Sequence, residues 1–124
     1  MLTPIKLDIV RGDTKPLTAT VTTNGVATSL VGGKLFFTAK TDVSNPDPGV
    51  FQLTWVDGGA SSGITVPTPS SGVANITIPP SATSGLGAFV QTLQWDLEFV
   101  SAAGDVFSVA RGTLTVTPDV TIST

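Results

Sequence analysis

The sequence predicts an all-β domain, folded as a sandwich of two antiparallel sheets with about seven or eight strands, with an open barrel as the less favoured alternative. Apolar residues alternate with Thr, Ser or Gln through nearly every periodic segment, as in Leu17–Val21 and again in Gly112–Thr117. Period-two alternation is typical of a strand with one buried and one wet face. Gly, Pro or Asn closes these segments at spacings of roughly 8 to 12 residues, which favours short strands joined by turns.

The first half of the chain contains strand segments separated by turns: 5–10, 16–23, the short segment 26–30, and 34–40. The first segment ends at Arg11-Gly12-Asp13, where glycine permits the positive φ of a tight turn. The second ends at Asn24-Gly25, the strongest short hairpin signal. Two prolines indicate a loop at 44–49, because proline cannot donate to a strand ladder.

Further strands are predicted in the second half: 50–55, 64–66, 73–78, 91–100 and 106–117. After Pro79-Pro80, residues 81–87 allow at most one helical turn, with Ser81 as a candidate N-cap. Arg111-Gly112 indicates a bulge or bend within the last strand. Helix content is therefore expected to be near zero.

The period-two faces also predict which side chains form the core. Gln94, Asp96 and Glu98 are expected to face solvent, because they alternate with apolar residues of the longest clear strand. The predicted core residues are Leu17, Ala19, Val21, Leu35, Phe37, Leu93, Trp95, Leu97, Phe99, Phe107 and Val109.

The composition bounds both size and function. A chain of 124 residues suits one domain, 1–124, with an extended N-terminal arm (1–4) and a C-terminal tail (117–124). Charged residues make up only 12% and the formal net charge is −3, so no basic stripe is available for nucleic acid. The N-terminus does not resemble a signal peptide, and no apolar run approaches the ~18 residues of a membrane span. We therefore expect a protein made in a cytoplasm, with no membrane partner.

Few residues in the chain are suited to catalysis. His and Cys are absent, so we expect no enzyme activity, no cofactor and no transition metal. Asp96 and Glu98 are interpreted as solubilising groups on a wet strand face rather than as a catalytic pair. Asp42, Asp47 and Asp57 follow no EF-hand spacing and are interpreted as solvated loop residues rather than Ca²⁺ ligands.

Two further motifs have a functional and a structural interpretation. Arg11-Gly12-Asp13 matches an integrin-binding tripeptide, but a turn is required at this point and the turn interpretation is favoured. Trp55 and Trp95 are candidates for a sugar-binding platform. Trp95 is expected in the core because its same-face neighbours are apolar, whereas Trp55 lies at a strand end, where burial and partial exposure both remain open.

Five segments, taken in order, carry a resemblance to a known family: Asp8–Thr18, Gly33–Lys40, Pro79–Thr83, Trp95–Phe99 and Arg111–Val120. They resemble the small immunoglobulin-like β-sandwich of tailed-phage virion proteins, and the chain is similar to the N-terminal module of phage upper baseplate proteins. The resemblance implies an immunoglobulin-like sandwich. It also implies a non-enzymatic building block that attaches fibres, baseplate parts or capsid ornaments.

The expected function is that of a structural protein in the tail, baseplate or fibre-attachment apparatus of a tailed phage. The alternatives are a capsid decoration (head ornament) protein and a module that binds host-surface carbohydrate or protein. The expected partners are other virion structural proteins in several symmetric copies, and the expected location is the virion.

The strand edges predict where such partners bind. Segments 2–10 and 112–122 carry little of the charge, proline or bulges that protect natural sheet edges. We therefore predict that the N-terminal arm or the C-terminal tail docks on a neighbouring virion protein or symmetry mate. The candidate contact residues are Leu2, Pro4, Trp55, Pro118, Val120 and Ile122.

Overall fold

Two β-sheets and a short hairpin form the fold of the chain. The computed structural model describes residues 4–23, 25–42, 44, 49–86 and 89–118. The strands are β1 (Ile5–Val10), β2 (Lys15–Thr20), β3 (Thr22–Thr23), β4 (Val26–Ala27), β5 (Lys34–Lys40), β6 (Phe51–Val56), β7 (Ile64–Thr65), β8 (Val73–Ile78), β9 (Gln91–Val100) and β10 (Val106–Thr117). A 3-10 turn spans Pro69–Ser71 and a short helix, α1, spans Pro80–Thr83.

The larger sheet has five strands in the order β1-β10-β9-β5-β6, and the smaller has three in the order β2-β8-β7. β3 and β4 form the hairpin expected at Asn24-Gly25, with Thr23 opposite Val26. The named strands pair antiparallel with one exception, since β1 runs parallel to β10. The expectation of purely antiparallel sheets is therefore wrong for this pair. The chain crosses to the other sheet after β1, which leaves β1 beside the last strand in the same direction.

The strand boundaries follow the sequence pattern closely. β1, β5, β8, β9 and β10 have the predicted bounds. The predicted strand 16–23 is divided at Val21, whose amide donates to the Gly72 carbonyl at 2.8 Å and whose carbonyl accepts from the Thr28 amide at 2.7 Å. Val21 therefore lies between β2 and β3, bonded to the residue before β8 and to the residue after β4. Most of the predicted loop 44–49 lies outside the described residues.

The core lies between the two sheets. Phe37 is at its centre and stacks on Trp95, with ring centroids 5.2 Å apart, and on Phe51 at 6.0 Å. Burial is confirmed for seven of the predicted core residues: Val21, Leu35, Phe37, Leu93, Trp95, Leu97 and Phe99. Leu17, Ala19 and Val109 are only half-buried.

The prediction that Phe107 is buried is wrong, because this side chain is 52% exposed. Its ring stacks on Phe99 at 6.1 Å, but β1 covers β10 only from Gly112 to Thr117. The β-bulge lies at Val109, between Ser108 and Ala110, and not at Arg111-Gly112. Gly112 has a different role: a side chain there would overlap the backbone of Ile5, so glycine lets β1 approach β10.

The helical turn predicted after Pro79-Pro80 is present as α1, but Ser81 is not its N-cap. Pro79 occupies that position and makes no side-chain capping hydrogen bond, while Pro80 is the first helical residue. Proline suits the first turn because an N–H there lacks an intrahelical acceptor. The helix start is therefore set by the two prolines rather than by a capping hydroxyl.

Candidate functional site

The sandwich is open along one side, and we call this opening the lateral cleft. It has a volume of about 320 Å³ and lies where β2 faces the first half of β10. Its walls are apolar side chains from both sheets: Ile5, Leu7, Leu17, Ala19, Val109 and Ala110. The core residues Phe37, Trp95 and Leu97 lie at its floor. An apolar cleft between two sheets is suited to binding apolar side chains.

The pairing of β10 explains why the cleft is open. β1 pairs with Gly112–Thr117, and within the described chain no strand pairs with the outer edge of Val106–Ala110. We call this segment the open half of β10. β2 pairs with β8 on one side and is likewise an edge strand of its sheet. The cleft is therefore bordered by two strand edges that pair with no further strand within the described residues.

The open half of β10 lacks the usual protection of an edge strand. Its sequence, Val-Phe-Ser-Val-Ala, contains no charged residue and no proline. Val106 is 59% exposed, and Ile5, at the other end of the cleft, is 45% exposed. The bulge at Val109 is the one protective feature present in this segment. Natural edges of this kind are usually covered by another chain or blocked by charge.

A second concave surface, the outer groove, lies on the opposite face of the larger sheet. It has a volume of about 800 Å³. The strand register places Arg111, Asp96, Thr38 and Gln52 side by side across β10, β9, β5 and β6. The Gln52 amide donates to the Thr38 hydroxyl at 3.0 Å. The groove therefore offers hydroxyl, amide and charged groups in one row, which suits a polar ligand.

The acidic residues of β9 face this groove. Gln94, Asp96 and Glu98 line the outer groove, so the predicted outward orientation is confirmed. Asp96 and Glu98 lie two positions apart on one strand face, with Arg111 opposite Asp96 in the register. This places a cation beside the carboxylates, which is a typical arrangement on a polar sheet surface.

The candidate partner residues have different positions. Pro4 is exposed and lines the outer groove, and Pro118 is half-buried after β10. Trp55 is 6% exposed, because it lies on the inward face of β6 with Phe51 and Leu53. Its ring is therefore part of the core, which removes it as an exposed contact or sugar platform. The remaining candidates, Leu2, Val120 and Ile122, lie outside the described residues.

The Arg11-Gly12-Asp13 tripeptide forms the predicted turn. Gly12 has φ 81°, and the Asp13 amide donates to the Val10 carbonyl at 3.0 Å. The Arg11 guanidinium donates to the Leu86 carbonyl at 2.9 Å, and the Gly12 amide donates to the buried Thr83 hydroxyl at 2.9 Å. The turn is thus fixed against α1 and the segment after it.

The loop acids have local structural partners. The Asp42 carboxylate accepts hydrogen bonds from the Ser44 amide at 3.0 Å and the Ser44 hydroxyl at 2.9 Å, and these lower its pKa. Asp57 accepts from the Gly32 amide at 2.6 Å. Asp47 lies outside the described residues. Within the described part of the chain, no three His, Cys, Asp or Glu residues are grouped so as to hold a metal ion.

The sequence reasoning identified the wet face of β9 but missed the lateral cleft. The sequence pattern predicts a bulge or bend at Arg111-Gly112, although glycine in a strand also marks close backbone approach. Close backbone approach at Gly112 was the feature of the sequence that could have indicated pairing with β1. The uncharged sequence of Val106–Ala110 was the signal for an unprotected edge.

No protein-family model matches this chain, and no curated protein matches it in sequence. The described residues contain no helix that is both long and apolar enough to cross a membrane. The geometry of the two surfaces is therefore the basis on which a function is argued.

Proposed function

We propose that this chain is a non-enzymatic structural protein of a tailed-phage virion, a module of the tail, baseplate or fibre-attachment apparatus that docks on other virion proteins. The observation that carries the proposal is the lateral cleft with its unprotected strand edges. An apolar surface of this kind favours association, because covering it removes apolar area from water and pairs free backbone groups.

The strand order supports an immunoglobulin-like form of the sandwich. In chain order, β2, β7 and β8 take the places of strands B, D and E, while β5, β6, β9 and β10 take those of C, C′, F and G. β1 then corresponds to a first strand that pairs with the last. This order agrees with the immunoglobulin-like sandwich that the five resembling segments imply.

The composition supports a structural rather than an enzymatic role. The absence of His, Cys and Tyr leaves Asp, Glu and Lys as the acid–base candidates. We expect no hydrolysis of peptidoglycan, capsule or nucleic acid by the purified protein. Hydrolysis that persists through purification and is lost in Asp96→Asn or Glu98→Gln would contradict this part of the proposal.

Purified phage particles provide the direct test of the virion assignment. We expect mass spectrometry to detect the chain in particles at a low copy number that matches the rotational symmetry of the tail. A copy number in the hundreds would place it on the capsid as a decoration protein instead. If intact particles are made in cells that express the chain and do not contain it, both the tail assignment and the capsid assignment are refuted.

The outer groove supports a second candidate function, the binding of a polar host-surface ligand such as a glycan. The row of Arg111, Asp96, Thr38 and Gln52 is the specific observation in its favour. Gln52→Ala should then abolish binding of the protein to host cell-wall polysaccharide. Thr92→Ala, an exposed change on β9 outside the groove lining, is the matched control.

A further inference from the structure

We propose that the lateral cleft accepts a donated β-strand, and that the donor is the segment Val120–Thr124 of a second copy of this chain. The inference concerns contacts between copies and is independent of whether the chain belongs to a virion. It rests on the acceptor edges, on the pattern of the donor segment and on the reach of that segment.

The acceptor is the open half of β10 together with β2. The outer edge of Val106–Ala110 continues the edge that β1 occupies from Gly112 to Thr117. A strand placed there would extend the larger sheet and lie over the half-buried side chains of Leu17 and Ala19. Strand addition satisfies backbone groups along the edge, while pockets for alternate side chains give specificity.

The donor sequence has the pattern that this acceptor requires. Val120 and Ile122 alternate with Thr121 and Ser123, so an extended chain presents two branched apolar side chains on one face and hydroxyls on the other. The segment Val120–Thr124 has the same number of residues as the open half of β10. Its apolar face matches the apolar walls of the cleft, and its polar face suits the solvent side.

The reach of the segment indicates a donor from another copy. Thr117 ends β10 beside Val10, at the opposite end of the strand from the cleft. Val109 lies eight residues back, about 26 Å along the strand. Ile122 lies five residues past Thr117 and spans at most about 18 Å when fully extended. Neither Val120 nor Ile122 therefore reaches Val109 in its own chain.

The N-terminal arm fits the acceptor less well. The sequence of the arm, Met-Leu-Thr-Pro, does not alternate apolar and polar residues as Val120–Ser123 does. Pro4 also lacks the N–H that a continuous ladder needs. The C-terminal segment presents the better pattern for the apolar cleft.

The contact would join the C-terminal end of one copy to the cleft of the next. Such a head-to-tail interface is heterologous, since donor and acceptor are different surfaces of the chain. Copies then form a ring if the rotation between neighbours closes, and a filament if it does not.

Sedimentation velocity over a range of concentrations tests the assembly. We expect concentration-dependent oligomers of the full chain and monomers of the donor variant Val120→Lys/Ile122→Lys. The matched control, Thr121→Lys/Ser123→Lys, adds the same charge on the other face and should still assemble. A monomeric wild-type chain would overturn the proposal, and so would equal loss of assembly in both double variants.

Disulfide trapping tests the site, and the chain has no native cysteine to interfere. Protein carrying Ile122→Cys or Val120→Cys is mixed with protein carrying Val109→Cys and then oxidised. We expect a mixed disulfide dimer at least tenfold above that formed with Thr92→Cys, an exposed site on β9. Thermal unfolding of each variant verifies that it is folded. Equal trapping at Val109 and Thr92 in folded variants would place the contact elsewhere.

Discussion

Gly112→Ala tests the packing of the first strand on the last. An ideal Cβ at position 112 would overlap the backbone N, C and O of Ile5, and backbone cannot move aside as a flexible side chain can. β1 must therefore shift or detach. A shift of β1 should lower the free energy of unfolding by about 1 to 3 kcal/mol, which is the usual cost of inserting extra methylenes into a packed core. Detachment would expose the buried side chain of Ile9, which costs about 1.5 to 3 kcal/mol. It would also break the hydrogen bonds between β1 and β10.

Urea unfolding of Gly112→Ala measures this cost, and we expect a loss of about 3 kcal/mol in the free energy of unfolding. Amide hydrogen exchange shows which strand is affected. We expect the amides of Ile5–Val10 to lose protection from exchange and those of β5 to change little. Gly85→Ala is the matched control, because a Cβ there meets no atom within 4 Å and the backbone is not in the left-handed region. A Gly112→Ala variant within about 0.5 kcal/mol of wild type would refute the packing argument.

Further outcomes follow from contacts of Trp95, Phe107 and Asp42. Trp95→Ala should destabilise the fold by about 3 to 5 kcal/mol, and Trp95→Phe by about 1 to 3 kcal/mol because the Thr113 carbonyl loses its indole donor, as measured by urea unfolding. Phe107→Ala should cost much less than Phe99→Ala in the same assay, because the Phe107 ring is largely exposed. Asp42 has a pKa below its ordinary value of 3.8, mainly through the Ser44 amide and then the Ser44 hydroxyl. Its stabilising contribution is therefore present at neutral pH and is lost as the pH falls through the lowered pKa, and Ser44→Ala should raise that pKa in an NMR titration.

Local pattern was sufficient to predict most of the strands. The period-two alternation predicts both the bounds of β9 and which of its side chains face inward. The burial of Leu93, Trp95, Leu97 and Phe99 could therefore be predicted. The turn at Gly12 was likewise available from sequence, because its chemistry is local.

The partners of each strand could not be predicted in this way. Nothing in Ile5–Val10 specifies a parallel partner more than a hundred residues later, since pairing depends on how the chain crosses between sheets. The lateral cleft depends on the same pairing and was missed for the same reason. The lateral cleft therefore depends on which strands pair, whereas the buried face of each strand can be predicted from the alternation of apolar and polar residues.

The bulge and the glycine in β10 make the two halves of this strand different. Gly112 allows β1 to approach the second half closely, while the extra residue at Val109 interrupts the regular pairing of β10 with β9 three residues earlier. A bulge of this kind usually increases the local twist of a strand. Within the described residues, β10 thus pairs with β1 over its second half, while no strand pairs with the outer edge of Val106–Ala110. A substitution at Gly112 would consequently change the length of the acceptor edge as well as the stability of the domain, which links folding and assembly through a single residue.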